Sequence, residues 1–317
     1  MIGFGAELIG ALVVGVILLV THRFHGLGVL FDDQGTAGDG SYLPVFLVAA
    51  IIGFHQYYGF EACGDVAEEV AHPGKVIPKA MRRTIHVGGA AATFTCLTLL
   101  LAAVDYRAVI SGEDTDPVVR VLFAALGEAD ARVVMAVVLI SFLSCAIGLR
   151  AAAGRLIYSY ARDEMVIGHR LLRKLSPSRA VPEYAPLLAA VVPALIAVGS
   201  LISPDALTKI VSFAILGIYA AFQMVVLAAL RARVKGWFPS GEYRLGRRGL
   251  LVNVGALAYG LFAVVNISLP RTPDVPWYDN WIVLLSGGVV VAVGLVYMFT
   301  THHCGRSDAP SGSAGPD

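Results

Sequence analysis

One segment of this sequence places polar side chains, a glycine and a carboxylate inside an apolar run. Residues 43–54 are almost wholly apolar, and they are followed by His55, Gln56, Tyr57, Tyr58, Gly59, Phe60 and Glu61. Peptide groups that leave helical geometry inside a membrane are tolerated only where they line a cavity or are buried in protein. A half-helix N-terminus attracts a carboxylate, and freed carbonyls accept an ammonium group or a cation. The segment therefore predicts a broken helix that binds a small charged solute.

The composition indicates that this segment lies in a lipid environment. Of the 317 residues, 57% are hydrophobic and 15% are charged, and the mean hydropathy is +0.72. Soluble domains carry about 25% charged residues, and a soluble core of this length could not bury so much apolar surface. The four cysteines have no paired spacing, so neither a disulfide framework nor a zinc site is expected.

Apolar runs of about 20 residues predict membrane-spanning helices. Eight are found, each bounded by charge, proline or glycine: Ile2–Val20, Leu43–Ala62, Thr84–Val104, Val133–Ala153, Tyr184–Ile202, Ala206–Leu230, Leu250–Leu269 and Trp281–Thr300. The predicted fold class is therefore all-α, a polytopic membrane helix bundle. We expect a transmembrane region over 1–304 and a disordered cytoplasmic tail over 305–317. The run His302, His303 and Cys304 is not expected to bind a metal.

The basic residues predict the orientation of the bundle, because lysine and arginine accumulate in cytoplasmic loops. With the N-terminus inside, eighteen of the 24 lysines and arginines fall in inner loops or the tail, in strict alternation across the eight spans. The sequence thus predicts a multi-pass protein of the plasma membrane with both termini in the cytoplasm. No signal-peptide layout precedes the first span.

Several short motifs occur in order along the chain. They are Gly59-Phe60-Glu61, Ala67-Glu68-Glu69, His72-Pro73-Gly74-Lys75 and Ile77-Pro78-Lys79-Ala80, then Arg155-Leu156, Tyr160-Ala161-Arg162-Asp163 and Val181-Pro182. This pattern resembles the sixth helix, the end of the eighth helix and the following loop of permeases of the amino acid–polyamine–organocation superfamily. By that resemblance the eight spans are family helices five to twelve, in the orientation that charge counting predicts independently.

The resemblance implies a five-plus-five inverted-repeat fold that is only partly present in this chain. Family helices one to four, including the unwound first helix that supplies half of the binding site in relatives, have no counterpart here. We therefore expect a truncated permease.

The resemblance also implies roles for the segment around the break. The backbone carbonyls of Tyr57, Tyr58 and Gly59 would accept a substrate ammonium; the alternative is an ordinary glycine kink. His55 stands where relatives place an aromatic residue over the substrate, and it could stack or titrate; alternatively it bonds to a neighbouring helix.

The same two alternatives hold for Gln56, and Phe60 belongs to the same site. Glu61 could carry a coupling proton because desolvation raises a carboxyl pKa. Alternatively, Glu61 caps a helix or forms a pair within the bundle.

More distant candidates have equally ordinary alternatives. Ser141 and Ser144 could ligate sodium, as hydroxyls of this helix do in sodium-coupled relatives, or bond back to their own helix. Glu7 is a candidate for ion coupling, or it is hydrated near the cytoplasmic mouth. Phe213 and Tyr219 could line an outer vestibule, or pack against lipid or within the bundle.

The loop after the broken helix carries carboxylates and cations whose ion pairs could latch a closed state. The alternative is a solvated run of charges; the residues are Glu68, Glu69, Lys75, Lys79, Arg82 and Arg83.

The function implied is secondary active transport of an amino acid or related small amine, driven by protons or by exchange. The alternatives are a non-transporting remnant, and a transporter of polyamine, choline or γ-aminobutyrate. A membrane enzyme is disfavoured because neither G-x-S-x-G nor H-E-x-x-H occurs. The expected partners are the small-molecule substrate and the lipid bilayer, with no nucleic acid, cofactor or metal.

Overall fold

The computed structural model describes residues 2–36, 38, 40–176, 181–201, 204–237, 243–246, 248–271 and 275–301. The expectations for residues 302–317 lie outside these ranges. Within them the chain is helical, apart from short turns and one isolated antiparallel bridge between Leu175 and Pro182. The helices are α1 Ile2–Thr21, α2 Leu43–Gln56, α3 Ala62–Asp65, α4 Pro73–Ala102, α5 Tyr106–Ile110, α6 Pro117–Arg162, α7 His169–Leu172, α8 Tyr184–Ser200, α9 Pro204–Val234, α10 Arg248–Ser268, α11 Trp277–Asn280 and α12 Ile282–Thr301.

Each of the eight predicted spans overlaps a helix in the described residues, which confirms the all-α class. Among the described residues, five segments are long and apolar enough to cross a membrane: Pro73–Ala102, Pro117–Arg162, Thr208–Val234, Arg248–Ser268 and Ile282–Thr300. Three further apolar segments are shorter: Leu8–Thr21, Leu43–Gln56 and Tyr184–Ser200. The chain is therefore a multi-pass membrane protein.

The predicted spans cover only part of α4 and α6, because hydropathy identifies only the apolar part of a helix. Helix α4 begins at Pro73, eleven residues before the expected start at Thr84, and its polar first turns carry Lys75 and Arg82. Helix α6 extends from Pro117 to Arg162, with non-helical dihedrals at Gly127 (φ 77°) that interrupt it.

The chain forms two compact units. The first consists of residues 1–60 and 80–149, and it contains α1, α2, α5 and most of α4 and α6. Its small apolar core is formed by Leu18, Ala102 and Val121. Next to this core, the backbone amides of Phe24 and His25 donate to the carbonyl of Leu101 at 3.0 and 3.1 Å. These bonds fasten the end of α1 to the end of α4.

The second unit consists of residues 61–79 and 150–317, and its centre is the packing of α9 against α10, α8 and α12. Ile215 and Ala263 are buried there. After α10, Arg271 donates to the backbone carbonyl and the side-chain oxygen of Asn266, both at 2.5 Å. Burial lowers the pKa of the Arg271 guanidinium. An ion pair between Lys209 and Asp279 joins α9 to α11.

Candidate functional site

The predicted loss of helical geometry around Gly59 is present. Helix α2 ends at Gln56, six residues before the predicted end of the span at Ala62. Tyr57 has φ −107° and ψ 19°, Gly59 has φ +95°, and the next helical turn, α3, begins at Ala62. The carbonyls of the last turn of an α-helix have no partner within the helix. The end of α2 therefore presents the negative end of its helix dipole.

The conformation of Gly59 explains why the chain breaks here. A φ of +95° is rare for residues with a Cβ and costs glycine nothing. A Cβ built on Gly59 would meet no atom within 4 Å. The requirement for glycine at this position is therefore conformational rather than steric.

The side chains before the break are held by α2 itself and by α4. Nδ1 of His55 lies 2.7 Å from the carbonyl oxygen of Ile51, one turn earlier on the same helix. The ring of Tyr57 packs on Gly89 of α4, where an added Cβ would lie 2.6 Å from Tyr57 Cε1. His55 thus bonds within its own helix, while Tyr58 keeps 39% of its surface exposed.

A cavity of about 580 Å³ lies within the first unit and is lined by α1, α4, α6 and the end of α2. Gln56 and Ser141 both line it, so the structure brings two of the predicted site residues together. Ser141 is 4% exposed, whereas Ser144 is exposed and is not among the lining residues. The lining is otherwise mostly apolar, with the polar exceptions Thr95 and Thr98. The side chain of Glu7 lies outside what the structure describes.

After the break, Glu61 begins the second unit and is half-buried. Glu61 lies within electrostatic range of Tyr219 on α9, whose hydroxyl bonds to Tyr259 on α10. The rings of Tyr219 and Tyr259 are 6.2 Å apart, and Tyr219 is 5% exposed. Tyr219 therefore packs between α9 and α10, while Phe213 is half-buried.

After the break, Glu69 forms a well-defined ion pair with Arg155. Glu69 accepts two hydrogen bonds from Arg155 near the end of α6, at 2.5 Å from Nε and 3.1 Å from Nη2. This two-point geometry is the stronger form of a carboxylate–guanidinium contact. The pair also joins two motifs that are far apart in sequence, Ala67-Glu68-Glu69 and Arg155-Leu156. The sequence alone did not predict this contact.

These features define a class of protein. Apolar helices long enough to span a bilayer, together with a helix broken beside a cavity, are typical of secondary transporters. The family model described as amino acid permease matches residues 5–266. The chain belongs to the amino acid permease family.

Curated relatives support this assignment. The chain is 26% identical over 244 residues to an uncharacterised amino-acid permease of Schizosaccharomyces pombe, covering 75% of this chain and 43% of that protein. It is 25% identical over 226 residues to a choline transporter of Saccharomyces cerevisiae, covering 71% and 40%. It is 22% identical over 289 residues to amino-acid permease 2 of Neurospora crassa, covering 88% and 51%. The chain spans about half the length of the curated relatives it matches.

Proposed function

We propose that this chain carries out secondary active transport of an amino acid or a related small amine, and that the break after α2 forms part of its substrate site. The observation that carries the proposal is the end of α2 at Gln56, followed by Gly59 at φ +95°. The negative end of the α2 dipole suits an ammonium group, which the proposed substrates share. The names of the relatives, which include a choline transporter and a polyamine transporter of Saccharomyces cerevisiae, support a cationic or zwitterionic substrate.

In this proposal each predicted site residue has a definite task. The carbonyls of Tyr57, Tyr58 and Gly59 accept the substrate ammonium, and Phe60 lies beside them. His55 and Gln56 border the site from the last turn of α2. Because Nδ1 of His55 faces the carbonyl of Ile51, that nitrogen donates there, and Nε2 is the nitrogen available to a substrate.

Coupling is proposed to involve protons, with Glu61 as the first candidate carrier. Glu61 combines half-burial with a place directly after the break and within range of Tyr219. An intramembrane carboxylate is a functional candidate by default. Sodium coupling through Ser141 is the weaker candidate, because only Ser141 of the two predicted serines lines the cavity.

The proposed location is the plasma membrane, with both termini in the cytoplasm and the permease region over 1–304. The positive-inside bias supports this orientation.

The test is binding and uptake with the purified chain in vesicles, using labelled amino acids, choline and putrescine as a panel. Alanine disfavours the positive φ of residue 59, so Gly59→Ala should displace the carbonyl of this residue from the substrate. Binding of the accepted substrate should weaken about tenfold or more, the effect of one lost charge-assisted hydrogen bond. Gly53→Ala is the matched control, because Gly53 lies in α2 and a Cβ there also meets nothing within 4 Å. Full uptake by a Gly59→Leu variant would contradict the assignment of the site.

A further inference from the structure

The connection between α9 and α10 carries a concentrated positive charge. Positions 231–248 contain one acidic residue, Glu242, and six basic ones: Arg231, Arg233, Lys235, Arg244, Arg247 and Arg248. The first two lie in the last turn of α9, where cations are favourable at the negative end of the helix dipole. The remaining four exceed what that helix end requires.

Arg233 has an environment that its own helix does not explain. Its guanidinium lies against Gly249, in the first turn of α10, where a Cβ would be 2.7 Å from Nη2. This is the positive end of the α10 dipole, which repels a cation. The Nε of Arg233 is buried and, among the described residues, has no hydrogen-bond acceptor. A buried donor without an acceptor on a charged group is costly, so an anion is the missing element.

The neighbours of Arg233 extend the same charge into solvent. Arg231, Lys235 and Arg248 are exposed, and none of them forms an ion pair within the described part of the chain. Trp237 is half-buried directly after this turn. Tryptophan concentrates at the level of lipid headgroups. Trp237 and the basic residues lie together at the ends of spanning helices, so the basic residues are expected at the headgroup level too.

We propose that this cluster, defined as Arg231, Arg233, Lys235 and Arg248, binds the phosphate of an anionic phospholipid. Arg233 donates to the phosphate oxygens in the notch above Gly249, while the exposed Arg231, Lys235 and Arg248 add positive charge at the same helix ends. The absence of a side chain on Gly249 leaves room for the guanidinium to lie flat against α10. A lipid is favoured over a dissolved phosphate because spanning helices hold the cluster at the membrane surface, where basic pockets recognise anionic headgroups.

The test is native mass spectrometry of the full purified chain, titrated with phosphatidylglycerol, phosphatidylcholine or inorganic phosphate. Phosphatidylglycerol should bind with a defined stoichiometry and phosphatidylcholine should not. Arg233→Gln should weaken phosphatidylglycerol binding about fivefold, the effect of one basic residue at an anionic surface. Arg170→Gln removes the same charge from an exposed position on α7 and should leave binding unchanged.

Equal losses in Arg233→Gln and Arg170→Gln would overturn the proposal, because binding would then follow net charge alone. Competition by inorganic phosphate at the same concentration as the lipid would also overturn it. Arg233→Lys keeps a cation at the position and is the variant to use if Arg233→Gln does not fold. Its binding should lie between the wild type and the background measured with phosphatidylcholine, and binding at the wild-type level would contradict a role for the guanidinium.

Discussion

Gly59 and Gly53 offer a direct measurement of the backbone conformation at the break. Both are glycines on which a Cβ would meet no atom within 4 Å, so alanine at either position introduces no clash. They differ only in backbone geometry, since Gly53 is inside α2 and Gly59 has φ +95°. Alanine inside a helix stabilises it by about 0.5–1 kcal/mol relative to glycine. Alanine held at positive φ costs about 1–2 kcal/mol.

The two substitutions should therefore differ by about 2 kcal/mol in the free energy of unfolding, with opposite signs. For a chain of this size, that difference corresponds to roughly 3 °C in melting temperature. The measurement is thermal unfolding of both variants and the wild type in one detergent, followed by circular dichroism at the helix band. If Gly59→Ala is as stable as Gly53→Ala, Gly59 does not occupy the left-handed region and the break is not built as described.

Two further predictions concern contacts that sequence reasoning did not identify. Glu69→Gln and Arg155→Gln should each destabilise the protein by at most about 1 kcal/mol, because the pair is partly exposed. A double-mutant cycle in thermal unfolding should show that the two losses of stability are not additive. Additive losses would refute the pairing. Gly260→Ala should destabilise the protein by about 1–3 kcal/mol, because a Cβ there would lie 1.6 Å from Nε2 of the buried Gln223. Gly255→Ala on the same helix meets nothing within 4 Å and should be tolerated, so an equal loss in both variants would show that no close approach exists.

The positions of the helices could be predicted because the physics is local. A run of about 20 apolar residues can satisfy its backbone in lipid only as a helix, so hydropathy finds the spans without tertiary information. The break in α2 was also predictable, since the sequence from His55 to Glu61 places polar groups and a glycine at the end of an apolar run. The boundaries of α4 and α6 were harder to predict, because their polar turns carry no hydropathy signal.

The partners of individual side chains could not be predicted, because each depends on which helices pack together. The run of charges after the break allowed two interpretations, an ion-pair latch and a solvated loop. Only the structure pairs Glu69 with Arg155. The contact of Tyr219 with Tyr259, between α9 and α10, likewise appears only in the structure. A single sequence contains no signal that joins such residues across long separations.

The pair formed by Glu69 and Arg155 has a consequence for biosynthesis. The two residues are 86 positions apart, and the whole 80–149 portion of the other unit is made between them. At about 5–20 residues per second, the ribosome needs roughly 4 to 17 seconds to supply the arginine after the glutamate. During that interval the segment 61–79 has left the ribosome without the rest of its own unit. The carboxylate of Glu69 therefore remains without its Arg155 partner for this time, and a translational pause between the two residues would lengthen that time.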